Sequence, residues 1–286
     1  MTVGFIGAGK VGFTLGKYFA VNGIEISGYY SQSYDFAEKA ADFTESRAFN
    51  NIGGLVRECD VIFITTPDSS IKDIYLSLIK YDIKGKQICH CSGALSVKEA
   101  FPEIKKYWAE GYSIHPLFPV SDKYNSYKEI GSAYFSIEGD ELHINEWRIF
   151  FEKLGNPVKI LSSEHKTEYH AACAIASNLV CAVIEESIEM MTKCGFTSEQ
   201  ALCALTPLIS ANISNIIKTD PVTALTGPVE RCDCETVSKH MGCFESDTDR
   251  ELYRAVSLKL ITLAQKKHPD TDYSQLIKIL DKNTAP

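Results

Sequence analysis

The chain opens on an apolar run, Val3 with Phe5 and Ile6, that passes without a spacer into Gly7-Ala8-Gly9-Lys10-Val11-Gly12. A strand that ends in this spacing has few continuations. The first glycine permits a sharp turn, the second puts no Cβ in the way of a pyrophosphate, and the third lets the next helix pack close to the sheet. Val11, Leu15 and Phe19 then recur at helical spacing, so the amides and dipole of that helix face whatever the loop holds. A structural tight turn also uses glycines, but it needs neither the strand before nor the helix after. The motif therefore predicts a dinucleotide site at the first turn of a parallel α/β sheet.

The end of the second strand, read at 24–33, bears on which dinucleotide. A ribose-binding acid falls about twenty residues past the glycines. Tyr30 takes that place, followed by Ser31, Gln32 and Ser33, and no acid lies between Ile26 and Tyr34. Hydroxyls without a carboxylate suit a 2′-phosphate, so NADP is favoured over NAD. Serines also cap helices, and these could simply start a helix over 34–41. No arginine follows directly.

Short apolar runs continue to alternate with helical stretches, which predicts crossover helices on a parallel sheet. Strands are expected at 60–65, 86–91, 111–115 (stopped by Pro116), 133–137 and 158–161, with helices at 70–80, 96–105 and 141–154. Residues 115–131 read as a long irregular connection, a place where function often sits. Past Leu161 strand signals vanish. Helices are expected at 163–194, 198–218, 234–243, 247–267 and 273–280, with Gly195 ending the first and Thr197-Ser-Glu-Gln200 forming a capping box for the second. The middle of the first, 171–183, is apolar on nearly all sides, which predicts a buried helix that contacts either the Rossmann domain or a second subunit. The fold class is thus α/β, a doubly wound Rossmann sheet over 1–161 followed by an all-α domain over 162–286.

With 286 residues, 45% of them hydrophobic, the chain has core enough for two domains. A net charge of −8 argues against nucleic acid as the main partner. No apolar run is read as long enough to span a bilayer, and Met1 leads straight into a core strand without a basic leader. The expected location is cytoplasmic, with the ten cysteines as reduced thiols. Cys89-His-Cys91 and the group Cys232, Cys234, His240 and Cys243 hold metal-ligand types, but the spacing is not that of a zinc site; no metal is expected.

In an open parallel sheet the ligand lies beyond the carboxyl ends of the strands. The candidates are the glycine loop, Thr65-Thr66-Pro67, Ser92-Gly93 and His115-Pro116. Thr66-Pro67 ends the strand that usually approaches the nicotinamide ribose, although Asp68 could merely cap a helix there. Ser92-Gly93 offers a hydroxyl and a bare amide, or a plain turn. His115 at a strand end can deliver a proton near neutral pH. His170 and Asn178 are eight apart in the expected long helix and would share one face. Arg231 could hold a substrate carboxylate bidentately; a salt bridge to Asp233 or Glu235 is the competing reading.

Gly7-Ala-Gly-Lys-Val-Gly12, His90-Cys-Ser-Gly-Ala-Leu95, His115-Pro-Leu117, Tyr169-His-Ala-Ala172 with Ser177-Asn178, and Thr226-Gly-Pro-Val-x-Arg231 occur together. In this combination the chain resembles a group of Rossmann-like oxidoreductases with a C-terminal helical domain of uncharacterised function. These are similar to deazaflavin-dependent NADP oxidoreductases, and their architecture is related to that of pyrroline-5-carboxylate and ketopantoate reductases. The resemblance implies an NADP-binding protein whose helical domain is like the C-terminal domain of 6-phosphogluconate dehydrogenase and forms a homodimer. The leading expectation for the chain is hydride transfer to or from a small C=O or C=N substrate in an interdomain cleft, with His170 or His115 as proton donor and Asn178 and Arg231 on the substrate. Cys232 stands where the group usually has glycine after the arginine. The β-hydroxyacid dehydrogenases use a lysine one helical turn before an asparagine; counting back from Asn178 gives Ala174, so that lysine is missing. A non-catalytic, redox-sensing dinucleotide binder and hydride exchange with a deazaflavin or flavin are the alternatives.

Overall fold

A computed structural model describes residues 1–281. It divides into two compact units, Met1–Ile175 and Ala176–Pro286.

The first unit is built on one eight-stranded sheet. Its strands are β1 (Thr2–Ile6), β2 (Glu25–Tyr30), β3 (Arg47–Ala48), β4 (Val61–Ile64), β5 (Gln87–His90), β6 (Glu110–Leu117), β7 (Tyr134–Gly139) and β8 (Val158–Ile160). The order is β3-β2-β1-β4-β5-β6-β7-β8, with strand order reversing beside β1. The crossovers are α1 (Lys10–Val21), α2 (Tyr34–Thr44), α3 (Ile52–Glu58), α4 (Asp68–Leu78), α5 (Val97–Ala100) and α6 (Ile144–Lys153), and α7 (Lys166–Ala176) follows the sheet.

Period-two alternation places the two cores. Val61 and Phe63 of β4 face one layer with α1, α2 and α6. Ile62 and Ile64 face the other, with α3 and α4. Phe63 is fully buried and stacks on Phe5 at 5.6 Å, a burial that stabilises by about 2–3 kcal/mol.

The expected sheet is corrected at one edge. β7 runs antiparallel to β6, Leu117 opposite Tyr134 and Tyr112 opposite Gly139. A parallel return needs a crossover helix, and the connection between these strands holds only the 3-10 turns Ser126–Lys128 and Ile130–Ser132. Pro116 does not stop β6. Because β5 ends at His90 opposite Ser113, that side of β6 has no ladder left for a proline to interrupt. The helix expected over 96–105 shrinks to α5, capped by Ser96 and Glu99 and stopped before Pro102. Asp68 is the first residue of α4, with Pro67 at the N-cap.

The second unit comprises α8 (Asn178–Lys193), α9 (Ser198–Lys218), α10 (Pro221–Ala224), α11 (Cys234–Met241), α12 (Asp247–Lys267) and α13 (Ser274–Ile279). Gly195 (φ 93°) ends α8, and Thr197 and Gln200 form the expected capping box of α9. The core of this unit is small: Val237, Ile261, Ala264, Tyr273, Leu276 and Leu280 gather where α11, α12 and α13 meet.

Two expectations fail here. The helix read over 163–194 is two helices, broken at Ser177 (φ −125°, ψ −78°). Within the single chain its apolar middle is not covered: Ile175, Leu179 and Val183 are exposed, as are Leu208 (67%) and Ile217 (77%) on α9, which leaves only the second-subunit form of that expectation open. The stretches Ser163–Lys193 and Ser198–Lys218 carry windows of mean hydropathy 1.5 and 1.3, long and apolar enough to cross a bilayer by length and composition. This corrects the expectation of no spanning run: the serines, threonines and asparagines inside each stretch make it read as shorter than it is.

Candidate active site

The glycine loop has the shape its spacing requires. Gly7 turns off β1 at φ 110°, and its amide donates to Tyr30 O (2.9 Å). A Cβ on Gly12 would lie 2.5 Å from Gly7 O, so only glycine lets α1 approach. A Cβ on Gly9 would meet nothing closer than Thr65 O at 3.9 Å. That open side faces the start of α1, where Gly9 is the N-cap, no side chain caps the helix and the first turn holds no acid. The free amides and the helix dipole there suit a phosphate. Ala8 is buried beneath the loop, Lys10 is exposed at the helix start and Val11 packs on the core.

Around this cradle the strand ends divide by role. Thr65 Oγ1 donates to Gly7 O (2.8 Å) and pins the loop. Thr66 Oγ1 is buried without a partner, the kind of orphan a bound group would satisfy. Pro67 is exposed beside it. Ser31 and Ser33 lie at the end of β2 and the start of α2, and Ser33 makes no capping hydrogen bond. The residues present therefore fit a dinucleotide. One assignment changes. Ser92 does not present a free hydroxyl: its Oγ donates to Asp68 Oδ2 (2.6 Å) and accepts the amides of Ala94 and Leu95 (3.1 and 3.0 Å).

Ser92 shapes a turn that brings two histidines together. A Cβ on Gly93 would lie 2.9 Å from His170 Nδ1 and 3.0 Å from His115 Nε2. The two ring nitrogens thus converge on the bare face of one glycine. His115 Nδ1 is 2.8 Å from the Tyr169 hydroxyl, with the rings edge to face. Burial, then the charges of Lys166 and His170, bring His115 down to about 4, so it is neutral at pH 7. Burial raises the Tyr169 phenol, which therefore keeps its proton and can donate to Nδ1. That bond leaves the proton of the imidazole on Nε2, over Gly93. His170 is exposed on α7.

The residue that sequence reasoning missed is Lys166. It is the first residue of α7 and only 2% exposed. Its ammonium donates to Ser113 Oγ (2.6 Å) and Ser92 O (3.1 Å), while Ser113 Oγ donates to Ser92 O (3.1 Å). Burial pulls this lysine below its usual range, opposed by the carboxylates of Glu138 and Asp68. Lys166 thereby ties α7, with Tyr169 and His170, to the ends of β5 and β6. A cation at a helix N-terminus opposes the dipole; that mismatch was the available signal. His90 is structural: Nδ1 accepts the Ser92 amide (3.2 Å), the ring packs on Phe101, and burial brings it down to about 3.

The other candidates lie in the second unit. Asn178 begins α8, so helix periodicity no longer sets it beside His170. Arg231 is exposed, and among the described residues no carboxylate oxygen lies within 4.0 Å of it, so the expected salt bridge is not formed. Asp233 instead caps α11. Cys232 keeps a left-handed backbone (φ 56°), which explains why glycine is usual after the arginine. Cys232 Sγ donates to Asp272 O (3.5 Å) and His240 Nδ1 is 2.8 Å from the Tyr253 hydroxyl. No group of three or more metal-ligating side chains is arranged around a common point among the described residues.

Two family models match separate stretches of the chain, and the second crosses the boundary between the units. Residues 2–92 match the family described as NADP oxidoreductase coenzyme F420-dependent, and residues 133–260 match a domain of unknown function, DUF2520. No curated protein sequence gives a significant match. Among solved structures, protein TM1727 from Thermotoga maritima is 26% identical, with TM-score 0.73 over 93% of this chain and 99% of the other. A 1-pyrroline-5-carboxylate reductase from Streptococcus pyogenes is 16% identical (TM-score 0.63; 94% and 98% covered). An imine reductase from Myxococcus stipitatus, solved with NADP+, is 14% identical (TM-score 0.61; 98% and 100% covered). The chain therefore has a Rossmann-like α/β fold, with one segment similar to NADP oxidoreductases and another similar to DUF2520.

Proposed function

We propose that this protein is an NADP-dependent reductase acting on a small C=N or C=O compound. The observation that carries the reading is the convergence of His115 Nε2 and His170 Nδ1 on Gly93, at the same edge of the sheet as the glycine cradle. The Gly7–Gly12 loop, the first turn of α1, Ser31, Ser33 and the segment Thr65 to Pro67 would hold the dinucleotide. When bound in its reduced form, it supplies a hydride. His115, neutral and fixed by Tyr169, directs an N–H at the heteroatom of the double bond and polarises it. His170, open to solvent, delivers the proton that completes reduction. Lys166 acts through Ser92 and Ser113 as a positioning residue. Arg231, exposed on the second unit, is a candidate anion-binding side chain. Kinship in fold with imine and pyrroline-5-carboxylate reductases favours a C=N substrate.

The exposed apolar face of α8 and α9 supports a homodimer through the helical domain, and a chain of ten cysteines suits a reducing, cytoplasmic location. The test is NADPH oxidation with a panel of cyclic imines and 2-oxo acids. Gly9→Asp is expected to abolish NADPH binding. Gly93→Ala is expected to keep binding and lower turnover about a hundredfold by displacing both histidines. Binding of NADPH without turnover of any compound would support the non-catalytic alternative instead. The family description of residues 2–92 favours one second reading, hydride exchange with a deazaflavin. It requires absorbance of the oxidised deazaflavin to fall when NADPH is added.

A further inference from the structure

The cofactor reading leaves one piece unassigned: the end of β2 carries hydroxyls but no cation for a 2′-phosphate. The loop after β6 supplies a candidate from elsewhere in the chain. Lys123 places its ammonium 3.8 Å from the Phe13 ring centroid and 5.3 Å from that of Phe36. Phe13 lies near the start of α1, and Phe36 is three residues past Ser33, the N-cap of α2. Helical side chains lean back toward the N-terminus and cover the preceding turn. An ammonium resting on both rings therefore lies beside the N-terminal turns of α1 and α2. Those turns flank the loop and the Ser31–Ser33 hydroxyls.

The loop is built to hold it there. Asp122 Oδ1 accepts the amides of Tyr124 (2.8 Å) and Asn125 (3.2 Å), and Asp122 Oδ2 accepts Asn125 Nδ2 (2.9 Å). Tyr124 packs edge-on against Phe13 and Phe43 at 5.4 and 5.3 Å. Among the described residues, Lys123 has no carboxylate oxygen within 4.0 Å. Burial and the neighbouring Lys39 ammonium both pull Lys123 below the usual lysine range. A cation that feels a second cation and has no paired anion is a costly arrangement that a dianionic phosphate would relieve.

We propose that Lys123, supported by Lys39, is the residue that selects NADP over NAD by pairing with the 2′-phosphate. This rests on the dinucleotide reading of the glycine loop. The test is titration of the full chain with NADPH and with NADH, followed by nicotinamide fluorescence, for wild type, Lys123→Met and Lys123→Arg. Methionine keeps the stem against both rings and removes only the charge. Lys123→Met is expected to weaken NADPH about 10- to 100-fold, the usual worth of a charge-assisted bond, and to leave NADH within about twofold. Lys123→Arg is expected to retain the preference. An equal loss for both dinucleotides, no loss for either, or a wild type that binds both equally would overturn the proposal while leaving the glycine site intact. A wild type that binds neither would overturn the dinucleotide reading itself. Thermal melting of each variant separates misfolding from lost binding.

Discussion

The two units handle their side chains in opposite ways. The sheet unit closes two large aromatic and aliphatic cores and buries polar groups beneath its site: Lys166, Ser113, Ser92 and His90 are all nearly or fully inaccessible. The helical unit has one small core and leaves the apolar flanks of α8 and α9 open. Burying polar groups costs stability unless each is satisfied; leaving apolar ones exposed costs solubility unless another surface covers them. The first strategy fixes polar groups in place beneath the strand ends. The second suits a surface that another surface could cover.

That contrast can be broken most forcefully by acid. His90 and His115 are held neutral, at about 3 and about 4. Because their folded values lie below the unfolded value of about 6.5, the unfolded chain binds more protons between these limits. Stability is therefore lost as pH falls from about 6.5 toward 4, on the order of 3 kcal/mol per histidine. Denaturant titrations across that range should show the loss in probes of the sheet unit; a flat profile would refute the neutral assignment. The next effect belongs to the other unit. Leu208→Glu with Ile217→Glu should weaken self-association on the order of a hundredfold, whereas Glu at Trp108, exposed on the sheet unit, should not. Sedimentation of the three proteins decides it, and a monomeric wild type would remove the premise.

Smaller effects sharpen the comparison. Lys166→Met removes a positive charge that depresses both His90 and His115. The His115 titration followed by NMR should move up by about one unit, and no movement would detach Lys166 from the site. Least in size, Cys232→Gly should stabilise the helical unit by about 0.5–1 kcal/mol, since glycine adopts the left-handed backbone without the penalty of a Cβ. A loss instead would mean that the Cys232 thiol contact outweighs the strain.

Legibility in the sequence followed the range of the interaction. The glycine loop was readable because strand, turn and helix are contiguous, and β4 because neighbouring residues alternate between two faces. His115 was readable from its place after a strand. Lys166 was not, since a lone lysine before a helix resembles any solvated cap until β5 and β6 close around it. Neither was the requirement for Gly93, which comes from two histidines distant in sequence. The break at Ser177 has no glycine or proline to announce it, so a continuous helix was the natural reading. The apolar run beyond it looked like interior because composition reports what a surface needs, not whether one chain alone supplies it.

The buried tether at Lys166 also has a bearing on how such a protein could be recombined. Because it ties α7 to the strand ends, Tyr169 and His170 travel with the nucleotide-binding half, and their spacing to His115 is inherited from the sheet register. A chimera joined at Ser177 would exchange the helical half wholesale while leaving the two converging histidines as they are. The contacts that hold His115, Tyr169 and His170 together thus lie wholly on one side of the break at Ser177, one residue beyond α7.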